Sequence, residues 1–433
     1  MDLNFIIPLL QFLDIPNRKF EIAMWYLVSL MLPADKHSQQ NAAMISGKEN
    51  SLFSKFLSGS LDASTVGLNR TGKRKIKKLM KTRKPIVAGV PWKISILIDA
   101  TLHERSSRHI ENSQKFNHGK GWITGHQWTN IVILINDVVV PLPPIPFYTK
   151  DECKKRNIKY RTEIQKLSSY FRTLGLTDII GVHKKEEVVV LMDSGYDAKE
   201  LQNVIIKRGW DFICSLKSSR SVLVPKKASK ALDIETLKEK IKITQKSFVN
   251  ILDYFSDGRL PWKSIRIETY RGKNNVKKLR QHRVKQREAF LKGVHRKVQI
   301  VCSERSHESK KKFMSCTNLN ANIKQIILAY RERWKIELFH RDIKSYLGME
   351  DAGVCKFDSL HAHVHWVYCS YILLLDIFPT ASGINDAQKL LKRKIESQRN
   401  KKIIQSLSQI NGVEKVKAQC RTVIDEVESL LAA

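Results

Sequence analysis

Tyr330, Arg333, Glu337 and Lys344 fall within the short stretch 330–344. At 100° per residue the four share an arc of roughly 60° on one helix face. Ile336, Phe339, Ile343 and Leu347 form a second stripe beside it, which reads as the side that packs on a core. A carboxylate held among an aromatic hydroxyl and two cations suits metal-assisted chemistry on a phosphate. Arg333 can grip a phosphate with its planar fork, and Lys344 adds a point charge. Tyr330 can hydrogen-bond a phosphate while its ring packs. Two further carboxylates, Asp99 and Asp193, each directly follow an apolar β-rich run, 94–98 and 187–192. The carboxyl ends of strands are where open α/β sheets bind ligands. Asp99, Asp193 and Glu337 would supply hard oxygen donors from separate elements, as two Mg²⁺ ions require, with Mn²⁺ as a substitute. Two such ions roughly 4 Å apart can activate an attacking oxygen and stabilise the leaving one. Water or a DNA 3′-hydroxyl then serves as nucleophile.

Each residue taken singly has a structural alternative. Asp193 or Ser194 can cap a following helix, and Asp99 can be a turn residue. Glu337 can pair with Arg333 or Arg341 at helical spacing, and Tyr330 can be a core residue with an incidental partner. The combination favours chemistry, because the elements recur in an order that would position it. The patterning predicts strands at 94–98, 127–136 and 138–142, a helix over 158–174, a strand at 187–192, a helix over 197–208 and a strand at 212–216. This is the order of an α/β, ribonuclease-H-like mixed sheet, treated as the catalytic core at 91–216 and 321–378. Between its parts, 217–320 reads as an inserted β-rich subdomain with strands at 264–270, 298–302 and 312–316. Its segment 271–297 carries eleven Lys or Arg and one Glu. Residues 1–90 read as a helical DNA-binding domain. There 38–46 and 50–57 have helix-turn-helix-like spacing, and the basic run 70–84 follows as a linker. Residues 379–433 read as a helical, basic C-terminal region.

The spacing of Tyr330, Arg333, Glu337 and Lys344 resembles the Y-R-E-K signature of bacterial DDE transposases in the insertion-sequence-four group. The likeness covers roughly residues 90–350, and Trp334, directly after the arginine, also fits the pattern. The resemblance implies that Asp99, Asp193 and Glu337 are the D, D and E. It implies that Tyr330, Arg333 and Lys344 contact backbone phosphates near the cleaved transposon end. It further implies cut-and-paste movement with Mg²⁺, double-stranded DNA at terminal inverted repeats and a target DNA as partners, and a homodimer in the synaptic complex. The other readings are a stand-alone ribonuclease-H-like nuclease and a sequence-specific DNA-binding protein that has lost catalysis.

Charge points the same way. The chain has 433 residues and a formal net charge of +34, from 76 Lys+Arg against 42 Asp+Glu. That self-repulsion is most simply relieved by a polyanion, and nucleic acid is the expected one. Within 70–84, Lys73, Arg74, Lys75, Lys77 and Lys78 are the expected phosphate contacts. Seven scattered cysteines without a Cys-x-x-Cys pair argue for a reducing compartment and against structural zinc. Together with that, the family resemblance implies a bacterial cytoplasmic, nucleoid-associated protein. The apolar run 20–32 contains Glu21, is too short to span a bilayer, and reads as a core helix. No phosphate-binding glycine loop is present, so no nucleotide cofactor is expected. Three weaker signals are Trp262, which reads as a small-core residue, His361, His363 and His365 on one segment without ligand-spaced partners, and His103, His109, His118 and His126 near Asp99.

Overall fold

A computed structural model describes residues 7–411, apart from 11–14, 16, 106–108, 118, 120, 175–184, 224–231, 241, 245–246, 257, 259, 272–275 and 306–310, together with 421 and 425. His118 thus lies outside the described residues, as do parts of the 217–320 segment and of the C-terminal region. The helices that matter for the site are α1 (Asn17–Met31), α2 (Gln39–Ser46), α3 (Asn50–Ser58), α4 (Leu61–Met80), α5 (Glu163–Thr173), α6 (Lys199–Lys207), α7 (Ile323–Arg331), α8 (Trp334–Ser345), α9 (Phe357–Ile377) and α10 (Ile384–Asn411). The strands are β1 (Ile94–Glu104), β2 (Gln114–Asn117), β3 (Trp122–Ile135), β4 (Val138–Pro141), β5 (Ile145–Pro146), β6 (Val188–Met192), β7 (Asp211–Leu216), β8 (Ser221–Leu223), β9 (Phe248–Asn250), β10 (Lys263–Arg271), β11 (Val276–Leu291), β12 (Val298–Arg305) and β13 (Lys312–Cys316).

The strands form a mixed sheet in the order β2-β3-β1-β6-β7-β13-β12-β11-β8-β9, with β4 and β5 on β3 and β10 on β11. β1 pairs antiparallel with β3 and parallel with β6, and β6 pairs parallel with β7. Val188 to Met192 are all buried, as a strand covered on both faces requires. This arrangement is compatible with a ribonuclease-H-like transposase core. One expectation needs correction. Asp99 does not follow the end of its strand; β1 runs on through it to Glu104, because the long β3 supplies partners as far as Gly125. Strands form at the three places expected after residue 217, and they join the same sheet. β13 pairs with β7, Ser315 opposite Cys214, and so extends the main sheet. The sixteen-residue β11 was missed because its lysines and arginines hide any period-2 alternation.

The second half of the molecule is organised by α9, which is buried nearly all round. α1, α3 and α4 pack on it, and α4, α8 and α9 reach β1, β3 or β4. One continuous hydrophobic core therefore runs from Leu10 through the sheet to Ile395. Some polar groups of α9 find partners within it. Tyr26 Oη and His363 Nδ1 lie 2.7 Å apart, His363 Nε2 lies 2.9 Å from the Gly348 carbonyl, and Trp366 Nε1–H donates to Ser60 Oγ at 3.2 Å. α2 and α3 are the two short helices expected, joined by a turn in which Gly47 takes φ 70°, a left-handed cap that costs glycine little.

The basic run also differs from expectation. Residues 61–80 are one helix, so most of the run is ordered α4 rather than a linker. Lys75 is buried and pairs with Asp376 at 2.8 Å, and Arg74 pairs with the same carboxylate at 2.7 Å. Their placement on the α9-facing side makes Lys75 a packing residue and not a phosphate contact. Lys73, Lys77 and Lys78 face solvent.

Candidate active site

Register brings the two strand carboxylates together. Leu97 on β1 stands opposite Leu191 on β6, and Asp99 and Asp193 lie two residues further along. With a side-chain period of two, they come level with each other on one face. Across the other neighbour, Asn130 of β3 stands opposite Asp99.

The third carboxylate arrives on α8. The stretch expected as one helix is two, because Glu332 and Arg333 interrupt it. The Glu332, Arg333, Lys335 and Ile336 amides each donate to the carbonyl three residues back, at 3.0–3.1 Å, so the chain tightens to 3₁₀ geometry there. Tyr330 lies in the last turn of α7, whereas Glu337 and Lys344 lie on α8. The face is preserved across the break: Arg333 Nη1–H donates to Asp99 Oδ2 at 3.4 Å and Nη2–H to Glu337 Oε1 at 3.3 Å. Tyr330 is half-buried, and burial raises its hydroxyl to about 12, with Arg333 lowering and Cys214 and Asp193 raising it.

Burial, aided by the charges of Glu337 and Asp193 and opposed by Arg333, pushes the Asp99 carboxyl up to about 7. Burial works against the charge of Arg333, but Tyr330, Asp99, Glu337 and Asp193 together hold it protonated. These mutual effects show that Asp193 belongs to the same electrostatic group. Its carboxylate also caps the turn 194–196, accepting the Gly195 amide at 2.8 Å, as the structural alternative expected.

Sequence reasoning missed His340. Oxygens of Asp99 and Glu337 and a ring nitrogen of His340 lie within 4.8 Å of one another, and this is the one such group among the described residues. The available signal was the Glu337-x-x-His340 spacing, which puts both on one helix face. Tyr368 of α9 donates its hydroxyl to Asn130 Oδ1 at 2.5 Å, and Asn130 Nδ2–H donates to His340 Nε2 at 2.8 Å. Burial, with Lys344 and Arg333 nearby, lowers His340 to about 3 and keeps the ring neutral. A fourth carboxylate near the site, Glu163, accepts hydrogen bonds from Thr129, Gln127 and Tyr196 at 2.6, 3.0 and 2.8 Å.

The remaining candidates are distributed as follows. Lys344 is tied to the Leu102 carbonyl and pairs with Glu350 at 2.8 Å. Trp334 is 61% exposed at the start of α8, without a packing role. Trp262 lies in the β10 region, where Arg283 and Lys285 approach its ring at 5.1 and 4.8 Å. His103 and His126 are buried, His103 being lowered to about 3 by burial and then by Arg105.

A cluster of mutually repelling carboxylates with two close oxygen donors, beside an imidazole, could hold a divalent cation. Residues 168–373 match the family model of the transposase DDE domain. The match supports a DDE transposase. Asp193, Glu337 and the Tyr330–Lys344 stretch lie inside the matched residues, and Asp99 lies before them. No curated protein matches the chain. Among the described residues, no helix is long and apolar enough to cross a membrane.

Proposed function

We propose that this chain is a cut-and-paste DNA transposase of the insertion-sequence-four group, acting on terminal inverted repeats in the bacterial nucleoid. Asp99, Asp193 and Glu337 are its catalytic and metal-holding residues. The observation that carries the reading is Arg333 bridging Asp99 and Glu337 at 3.4 and 3.3 Å, with Asp193 level with Asp99 across the sheet. Bound between these carboxylates, Mg²⁺ or Mn²⁺ would activate the attacking oxygen and offset charge on the leaving one.

The protein's own residues do the rest. Asp99 must release its proton for the cluster to accept cations, which its raised pKa links to pH. Arg333 and Tyr330 present a fork and a hydroxyl to the strand's phosphate, and the exposed Trp334 offers a ring beside them. Lys344 adds positive charge at the far end of α8. The exposed Lys73, Lys77 and Lys78 of α4 contact backbone phosphate, and α2–α3 read the end sequence. The domain division at 90, 216, 320 and 378 belongs to this proposal, as does a homodimer in the synaptic complex.

The test uses DNA bordering the reading frame. Wild type with Mg²⁺ is expected to cleave it at the element's ends, while Glu337→Gln folds, binds and leaves it intact. Normal cleavage by Glu337→Gln ends the proposal. Precleaved ends separate transposition from simple nuclease action: joined product supports the former, and cleavage without joining the latter.

A further inference from the structure

Four cations converge on a cavity of about 310 Å³ lined by Lys199, Lys217, Arg220 and Lys292, with Asp197 as its carboxylate. It lies one short turn beyond Asp193, since the turn 194–196 leads directly into Asp197. Three backbone turns build it, and each is pinned. The Lys217 amide donates to Asp197 Oδ2 at 3.2 Å, and the Arg220 amide to the Lys217 carbonyl at 3.0 Å. The Lys292 amide donates to the Ser221 carbonyl at 2.9 Å. Asn203 of α6 holds the third turn from both sides, donating to the Gly293 carbonyl at 2.8 Å and accepting the His295 amide at 3.0 Å. Gly293 there has φ +81°, and an added Cβ would meet the Lys199 side chain at 2.7 Å. The lysines therefore rise from fixed backbone.

One of the four charges is offset from within. Asp197 is buried, accepts from Gln202 at 3.0 Å, and forms an ion pair with Arg220, 3.6 Å from its Nε and beyond hydrogen-bond length, which leaves the three lysine charges of the pocket in excess. Arg220 Nη2–H donates to Gln202 Oε1 at 3.1 Å, leaving its buried Nε without a hydrogen-bond partner among the described residues. α6 begins at the same place, and its N-cap, Ala198, has no side-chain oxygen for the first amides. Cations lining one small concavity beside a helix start are what binds a phosphate group.

We infer that this pocket is a seat for one backbone phosphate of the DNA that passes the candidate active site, held by Lys199, Lys217, Arg220 and Lys292. The inference rests on the DNA reading above. Its role is to fix the strand next to Asp193 where the turn after β7 meets the end of β11.

The test compares the full-length triple variant Lys199→Gln, Lys217→Gln, Lys292→Gln with Lys154→Gln, Lys155→Gln, Lys159→Gln, which removes the same charge from exposed positions elsewhere. Arg220 is left in place because it bonds Gln202. Binding of a labelled duplex from the DNA bordering the reading frame is followed by anisotropy across a salt series. The pocket variant should bind about tenfold more weakly than the control variant. Its log–log salt slope should be shallower by about 0.9, the loss of one phosphate contact. One phosphate should also drop out of its ethylation-interference pattern. A pocket variant indistinguishable from the control variant overturns the inference. Protection of the wild-type fold by inorganic phosphate, with no duplex dependence, assigns the pocket to a free anion and also overturns it. If wild type cleaves no DNA with Mg²⁺ or Mn²⁺ while the pocket variant still loses slope, the seat stands and the transposase reading falls.

Discussion

At the scale of single residues, Asp99 departs furthest from ordinary chemistry. Its carboxyl titrates near 7 in the fold and near 3.8 when free, so between these values the folded chain holds a proton that the unfolded chain lacks. Its contribution to stability is present below about 3.8 and is lost as pH rises through 7. Asp99→Asn should therefore raise the melting temperature of the cation-free protein at pH 8 by about 1–3 °C, and change it little at pH 4. A variant less stable than wild type at pH 8 would contradict this. Cation binding followed by calorimetry should weaken as pH falls below 7, since the proton must leave first. Asn130 is the second case. Asn130→Ala strips partners from Tyr368 and His340 together and should cost about 1–3 kcal/mol in urea unfolding. Neither effect was legible in sequence. Asp99 was found from the strand before it, but its proton affinity comes from burial, then from Glu337 of α8 and from Asp193 just after β6. His340 looked like one histidine among thirteen.

At the scale of elements, the basic run of α4 separates into two chemistries that composition blends. Asp376→Ala leaves Lys75 buried with only the Leu375 carbonyl, and should destabilise the protein by about 3 kcal/mol. Neutralising Lys73, Lys77 and Lys78 to Gln should leave circular dichroism and unfolding unchanged while weakening DNA binding in a gel shift. Unchanged affinity would make their exposed face only a solvated one. Helical phase alone could have divided the run, had α9 been recognised as the surface that α4 covers. The α7–α8 pair teaches a related lesson. The four-residue stripe was legible because 3₁₀ and α turns keep similar phase over so short a break, while the break itself leaves no mark in residue types.

At the scale of the whole molecule, two opposed features set behaviour with pH and salt. His361 and His363 are lowered to about 4 and His103 to about 3, each chiefly by burial, against 6.5 when unfolded. The unfolded chain takes up protons that the fold refuses, so this stability is complete above about 6.5 and is lost as pH falls toward 4. At pH 5 the loss is roughly 2 kcal/mol for each histidine that stays neutral, which a urea midpoint series from pH 7 to 5 would read. A flat series would mean that these rings reach water. The net charge of +34 predicts DNA affinity that falls steeply with salt, and a shallow slope in a filter-binding titration would count against extended phosphate contact. Sequence alone determined what depends on local chemistry and periodicity: the buried strands, the helix stripe with Arg333 and Glu337, and a charge that calls for a polyanion. Only the tertiary structure decided what depends on contacts between distant segments. These are the β1–β6 register that aligns Asp99 with Asp193, the burial that raises one carboxyl and neutralises His340, and the packing on α9 that turns Lys75 inward. Side-chain type is a property of one position, whereas register and burial are properties of pairs, and a single chain read in order does not display its pairs.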